Sequence, residues 1–315
     1  MFPKDNKQIL INIHRPIPKF ELTEKGCEID VLSNHNDVNF WNNKVKVVEM
    51  QSEAGAIALV HGALQAGELS TTFTASQGLL LMIPTLYKMA GEMLPGVIHV
   101  ATHALSIFGD HQDIYSVRST GVCMLASANP QDAYHMAMVA HLSAIKSSLP
   151  FINFFDGFRT SHEISKVKLV DYNKIKELID EKALQDFRNR AMSNENYNTR
   201  GTAQNDDIYF QNTEVRNKNY IDSVSTIANY MDEVSKITGY DYKPFNYYGD
   251  KDATDVIVDE VNHLIHSISE LLEIFFVQKN LVFLERHLRR LFPHKLFFTL
   301  CNRKKKLILT VTLHI

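Results

Sequence analysis

The sequence predicts an α/β protein organised on a doubly wound, mostly parallel sheet. Three observations predict it. Between residues 44 and 156, apolar runs of strand length alternate with stretches of helical period. The helical stretches are rich in small residues, and Ala133, Met136, Ala137, Ala140 and Ala144 form the 3.6-residue stripe of a helix that packs on a sheet. Strand ends carry hydroxyls and carboxylates that lead straight into helix starts, the edge where open α/β sheets bind ligands.

The elements follow in order. Residues 8–13 make a short strand that Pro16 and Pro18 stop. Residues 34–43 are polar and turn-like. Residues 44–49 are a β-branched strand, and residues 54–66 a helix. Residues 69–75 are the next strand. Residues 77–93 are the next helix, which Pro84 should kink or restart. Residues 96–101 form a strand, 109–113 a polar loop and 121–126 an apolar strand. Asn129, Pro130 and Asp132 supply the cap, the first-turn proline and the dipole partner of the following helix, in which Met136 packs in the core. Residues 151–155 are a buried strand ending at Asp156-Gly157. Beyond it, residues 174–192 read as one helix with Ile175, Leu178, Ile179 and Leu184 facing inward. Residues 193–217 read as loop, 220–237 as an amphipathic helix, 240–252 as a linker and 255–258 as a strand.

Composition removes several function classes. Of 315 residues, 45% are hydrophobic and 22% charged, ordinary for a globular chain. A net charge of −3 gives no reason to expect nucleic acid or an anionic membrane. The basic run Arg303-Lys304-Lys305-Lys306 is short enough to be a solvated turn. No apolar run reaches bilayer length, and the first residues show no clear targeting peptide. Cys27, Cys123 and Cys301 are far apart, so these residues cannot build an iron–sulfur site. Cys123 lies in an apolar run and is expected to be a buried, inert thiol in a reducing compartment.

Three stretches carry candidate chemistry. Val47-Val48-Glu49-Met50-Gln51-Ser52-Glu53-Ala54-Gly55-Ala56 places Glu53 at a helix start, where the dipole stabilises an anion. Thr71-Thr72-Phe73-Thr74-Ala75-Ser76-Gln77-Gly78 is a second strand-to-helix junction, rich in hydroxyls. Phe108-Gly109-Asp110-His111-Gln112-Asp113 crowds four polar groups after a glycine. Each has a bland reading as a cap or solvated loop.

Together these stretches resemble the first domain of pyruvate:ferredoxin (flavodoxin) oxidoreductases, as do Pro150-Phe151-Ile152-Asn153-Phe154-Phe155-Asp156-Gly157-Phe158-Arg159-Thr160-Ser161-His162-Glu163 and Arg200-Gly201-Thr202-Ala203-Gln204-Asn205. The resemblance is strong from residue 47 to residue 258 and undetected before Trp41. It implies a diverged N-terminal segment (1–43), a thiamine-diphosphate pyrimidine-binding domain (44–250) and a truncated, degenerate second α/β domain of transketolase C-terminal-like type (251–315). A frameshifted or decaying gene end is the expected origin of the last.

The resemblance also implies the chemistry: oxidative decarboxylation of pyruvate to acetyl-CoA, with electrons passing to ferredoxin or flavodoxin. Glu53 would be the carboxylate on the aminopyrimidine nitrogen of thiamine diphosphate, with Thr74, Ser76 and Gln77 framing the cofactor and Asp110, His111 and Asp113 lining a pocket. The magnesium-diphosphate site is expected outside these residues, since no Gly-Asp-Gly motif occurs. Iron–sulfur clusters and CoA would belong to missing domains. An arginine that grips substrate carboxylate in the family has no counterpart between Ala101 and Thr102, and the family's Tyr-Pro-Ile-Thr-Pro segment is absent. Partners implied are a second copy or a full-length paralogue, in the cytoplasm or an anaerobic mitochondrion-related organelle. Alternatives are the α-type subunit of a 2-oxoacid:ferredoxin oxidoreductase and a non-catalytic remnant that only associates.

Overall fold

The structure is a computed structural model, and it describes residues 9–10, 39, 41, 46–105, 107, 110–162, 164–194, 196–197, 204–249, 255–259, 281–286 and 306–308. Four parallel strands form the central sheet: β2 (Thr71–Ala75), β3 (Val97–Thr102), β4 (Cys123–Ser127) and β5 (Phe151–Asp156), in the order β2-β3-β5-β4. A short strand β1 (Ile9–Leu10) pairs antiparallel with β6 (Lys166–Val167). Seven helices are described: α1 (Glu53–Gln65), α2 (Ser76–Gly91), α3 (Gln112–Val117), α4 (Pro130–Ser147), α5 (Tyr172–Glu177), α6 (Glu181–Asn189) and α7 (Asp206–Thr238).

Side chains alternate across the sheet, so each strand feeds two cores. On one face Ile98, Val100, Met124, Ile152 and Phe154 pack against Ile57, Leu64, Leu79, Met82 and Ile114 of α1, α2 and α3. On the other, Val97, Cys123, Leu125 and Phe151 pack against Met136, Val139 and Ala140 of α4 and Ile227 and Met231 of α7. The chain order places α4 opposite α2 because the step from β4 back to β5 reverses the direction of travel along the sheet, and crossovers keep one hand. Cys123 is a buried thiol, as its apolar run suggested, and Met136 is buried in the core. Cys27 and Cys301 lie outside the described residues.

Several sequence expectations are corrected. Residues 46–50 are not a strand. Val47 and Val48 are 37% and 46% exposed, so this β-branched run lacks the half-buried surface that rewards a strand. Gln112 and Asp113, expected in the loop 109–113, open helix α3, which runs to Val117. The single helix expected over 174–192 is two, because Asp171 caps Asn173 N at 3.0 Å and Asp180 caps Ala183 N at 2.8 Å. Ile175, Ile179 and Leu184 do face inward. Helix α7 begins at Asp206, inside the expected loop; its first half buries no side chain and so shows no apolar period. Helix α2 continues through Pro84, so it does not restart there. The linker expected over 240–252 contains strand β7 (Phe245–Gly249).

Strand β7 joins a second sheet of order β10-β8-β9-β7, made with β8 (Asp255–Asp259), β9 (Leu281–Arg286) and β10 (Lys306–Ile308). Strands β8, β9 and β10 are parallel and β7 is antiparallel. The last two were not anticipated from sequence. The motif residues 198–203, Phe108, Gly109 and Glu163, and most of the basic run, lie outside the described residues.

Candidate functional site

The carboxyl edge of the central sheet collects most of the predicted residues. Helix α1 starts at Glu53, but Ser52 does the capping: its hydroxyl accepts from Ala54 N at 3.2 Å. Glu53 is therefore free of the cap role, and it sits exposed in the positive first turn. Its side chain lies across Gly78 of α2. A Cβ at Gly78 would fall 2.6 Å from Glu53 Cγ and 2.3 Å from Thr74 Oγ1. Only glycine lets the carboxylate and the threonine share this spot.

Gln77 is exposed, and its Nε2 donates to Ala104 O at 3.1 Å, tying the first turn of α2 to the turn after β3. Ser76 and Asp113 are buried, with 1% and 2% exposure. Ser76 Oγ and Asp113 Oδ2 have no hydrogen-bond partner among the described residues. Burial pushes the Asp113 carboxyl above the usual carboxylate range; the Ser76 hydroxyl and the Ile114 and His103 backbone groups pull it back, and Asp110 adds to the rise.

His111 stands over the end of β3. Its Nδ1 is 2.7 Å from Thr102 Oγ1, and that hydroxyl donates to Phe155 O at 3.0 Å. A carbonyl can only accept, so the Thr102 proton is committed and Nδ1–H of His111 is the donor. Its ring meets Phe154 edge-on at 5.5 Å. Asp110 acts locally. Its Oδ1 accepts from Gln112 N at 3.0 Å, an Asx turn that opens α3.

Two features of this edge escaped the sequence reading as site residues. Thr102 links His111 to the sheet. Asp156 accepts from Phe158 N at 3.0 Å and from Arg159 N at 2.5 Å, which sets Arg159 at the same edge. Gly157 follows, and a Cβ there would meet the Thr102 carbonyl at 2.7 Å. The repeated pattern of a polar residue at the last position of a strand was the available signal.

The residues divide by what they could hold. Glu53 offers an exposed carboxylate that could accept from a ring N–H, with buried Thr74 and Gly78 beneath it. Among the described residues no three His, Cys, Asp or Glu side chains stand together as metal ligands. A cavity of about 150 Å³, lined by His135, Lys168, Asp171 and Tyr240, lies at the start of α4 rather than at this edge.

Comparison with known proteins decides the family. Residues 22–232 match the family described as "Pyruvate flavodoxin/ferredoxin oxidoreductase, thiamine diP-bdg". The chain belongs to this family. The match starts at residue 22, well before Trp41, so part of the segment set apart as diverged lies within it. A pyruvate-flavodoxin oxidoreductase of Enterobacter agglomerans is 48% identical over 282 residues, covering 88% of this chain and 24% of that protein. A pyruvate:ferredoxin oxidoreductase of Moorella thermoacetica is 51% identical over 234 residues, 73% of this chain and 20% of that protein. The family member described here thus spans between a fifth and a quarter of these curated relatives. A solved 2-oxoglutarate:ferredoxin oxidoreductase from Magnetococcus marinus, with 2-oxoglutarate, coenzyme A and succinyl-CoA bound, overlays with a TM-score of 0.55 at 16% identity. It covers 84% of this chain and 49% of that one, and it supports the α/β fold. Among the described residues no helix is long and apolar enough to cross a membrane.

Proposed function

We propose that this chain is the pyrimidine-receiving portion of a pyruvate:ferredoxin or pyruvate:flavodoxin oxidoreductase. The observation that carries the reading is Glu53: an exposed carboxylate, relieved of capping by Ser52, resting on Gly78 beside Thr74. Thiamine diphosphate, when bound, supplies a nucleophilic carbon and an electron sink for 2-oxo acid decarboxylation. Glu53 accepts a hydrogen bond from the ring nitrogen and holds its proton there. Thr74 and Gly78, both buried, support Glu53 from beneath, and Gln77 keeps the turn after β3 close by its bond to Ala104.

An exposed carboxylate on an open edge is half of a site. Leu105 and Ile107, beside it, are 96% and 68% exposed. A second domain, from a full-length paralogue or a second copy, covers this edge and brings the diphosphate site. Iron–sulfur clusters, CoA and the contact with ferredoxin or flavodoxin belong to other parts of the larger protein. Residues 251–315 contribute part of a second α/β domain. The compartment is the cytoplasm or an anaerobic mitochondrion-related organelle.

The test is a graft. Residues 51–113 replace the matching stretch of the Moorella thermoacetica enzyme, with the family's arginine segment restored. Pyruvate-dependent dye reduction is expected to survive. A folded but inactive graft would count against the reading.

A further inference from the structure

A 2-oxo acid is an anion, and the carboxyl edge of the central sheet carries four acids: Glu53, Asp110, Asp113 and Asp156. An anion bound there needs a cation beside it. Residues 47–165 contain four lysines and arginines, namely Lys88, Arg118, Lys146 and Arg159. Lys88 and Lys146 lie in the last turns of α2 and α4, and Arg118 is the C-cap of α3. Helices that connect parallel strands run back against them, so these three ends stand at the opposite, amino edge of the sheet. Arg159 follows β5 and stands at the carboxyl edge. It is the one permanent cation that this stretch delivers there. Its backbone is pinned. Asp156 Oδ1 accepts from Phe158 N at 3.0 Å and from Arg159 N at 2.5 Å, and Gly157 N donates to Thr102 O at 2.6 Å. The Phe158 ring meets His103 edge-on at 5.1 Å. The Arg159 side chain is exposed. Neighbouring strands lie ~4.8 Å apart and β3 separates β2 from β5, so Arg159 starts roughly 10 Å along the edge from the end of β2, where Glu53 lies.

We propose that Arg159 binds the carboxylate of the 2-oxo acid substrate, while Glu53 serves the cofactor at the other end of the same edge. A guanidinium presents a planar fork of N–H donors that matches the two oxygens of a carboxylate, and it stays charged at every working pH. Asp156 is a positioning residue for it, acting through the two backbone bonds that fix the turn. The bond from Gly157 to Thr102 ties that turn to the end of β3, so the arginine is aimed from a rigid strand end and not from a loose loop. The choice of a 2-oxo acid rests on the function proposed above; the placement of Arg159 does not.

Titration of the cofactor-free full chain with sodium pyruvate, followed by amide NMR at matched ionic strength, tests it. The Phe158 and Arg159 amides should shift saturably, with a midpoint on the order of 10 mM. Methyl pyruvate keeps the oxo group and lacks the charge, and it should leave them in place. Arg159→Gln should weaken pyruvate binding by about tenfold or more, and Arg159→Lys, which keeps the charge without the fork, by about threefold. The side chain is exposed, so the amides of the core strands should hold their positions in both variants. Three results each overturn the proposal: no saturable shift in the unsubstituted chain, equal shifts with methyl pyruvate, or unchanged affinity in Arg159→Gln. Should the glutamine form fail to fold, unchanged affinity in Arg159→Lys overturns it. No thiamine diphosphate is present and Glu53 takes no part, so failure here leaves Glu53 to its own test.

Discussion

Two helix starts in this chain carry the same kinds of residue and use them differently. At the start of α4, Asp132 Oδ1 accepts from Tyr242 Oη at 2.9 Å, and that oxygen lies 2.7 Å from His135 Nδ1. The other ring nitrogen of His135 lies 2.8 Å from Gln131 Nε2, and Gln131 Oε1 accepts from Lys168 N at 2.7 Å. Since Gln131 Nε2 can only donate, His135 carries its proton on Nδ1 and donates it to Tyr242. Every member of this relay has a partner. At the starts of α2 and α3 an acid, a serine and a histidine are buried more deeply than the half-buried Asp132 and Gln131, and Ser76 Oγ and Asp113 Oδ2 are unpaired among the described residues. A completed buried network clamps a fold, and an incomplete one costs stability and marks a place kept for another purpose.

The largest effect should come from the clamp. Tyr242→Phe leaves the Nδ1–H of buried His135 without its acceptor and removes one donor from Asp132, so stability should fall by about 2 kcal/mol in chemical denaturation. A loss near zero would erase the contrast between the two helix starts.

Acid should act on the same side of the comparison. Burial holds His135 down at about 4, and burial beside His141 holds His99 down at about 3. Both stay neutral in the fold, whereas in the unfolded chain a histidine takes a proton near pH ~6.5. The unfolded chain then binds more protons, so stability is full above ~6.5 and is lost as pH falls toward the folded values. Thermal melts from pH 8 to pH 4 should show this fall, and a flat profile would remove the buried neutral histidines from the account.

Asp113 should show the opposite sign. Its folded carboxyl is raised, so the fold binds the extra proton, and stability drops as pH climbs from the ordinary value of ~3.9 through the raised one. Asp110 adds to the rise, and the first turn of α2 itself carries no acid. Asp113→Asn should therefore hold or gain up to about 1 kcal/mol at pH 7, with the difference gone below pH ~4. A clear loss at pH 7 would make Asp113 a clamp like Asp132.

The contrast was only partly legible in the sequence. The four sheet strands, α1, α2 and α4 follow from apolar period and cap signals such as Asn129 and Pro130, which are local. Glu53 was legible as a helix-start acid, and the resemblance gave it a role. The relay was not, because Tyr242 reaches His135 across 107 positions of chain. Helix α3 was hidden by its six-residue length and by the polar residues that begin it. The first half of α7 was hidden because it buries nothing. Strand 44–49 was over-read because β-branched residues were counted without a surface to pack on. The unpaired state of Ser76 and Asp113 is a matter of geometry that no residue pattern encodes.

The smallest expected effect on stability belongs to the residue on which the proposed function rests. Glu53 is exposed and Ser52 caps its helix, so Glu53→Gln should change stability by about 0.5 kcal/mol or less. The central claim is tested by proton exchange at the thiazolium carbon of thiamine diphosphate, measured in the Moorella thermoacetica graft carrying residues 51–113 with and without Glu53→Gln. Exchange slower by orders of magnitude in the glutamine form, at an unchanged melting temperature, is the predicted result. Equal exchange rates in the two grafts would contradict the role assigned to this carboxylate.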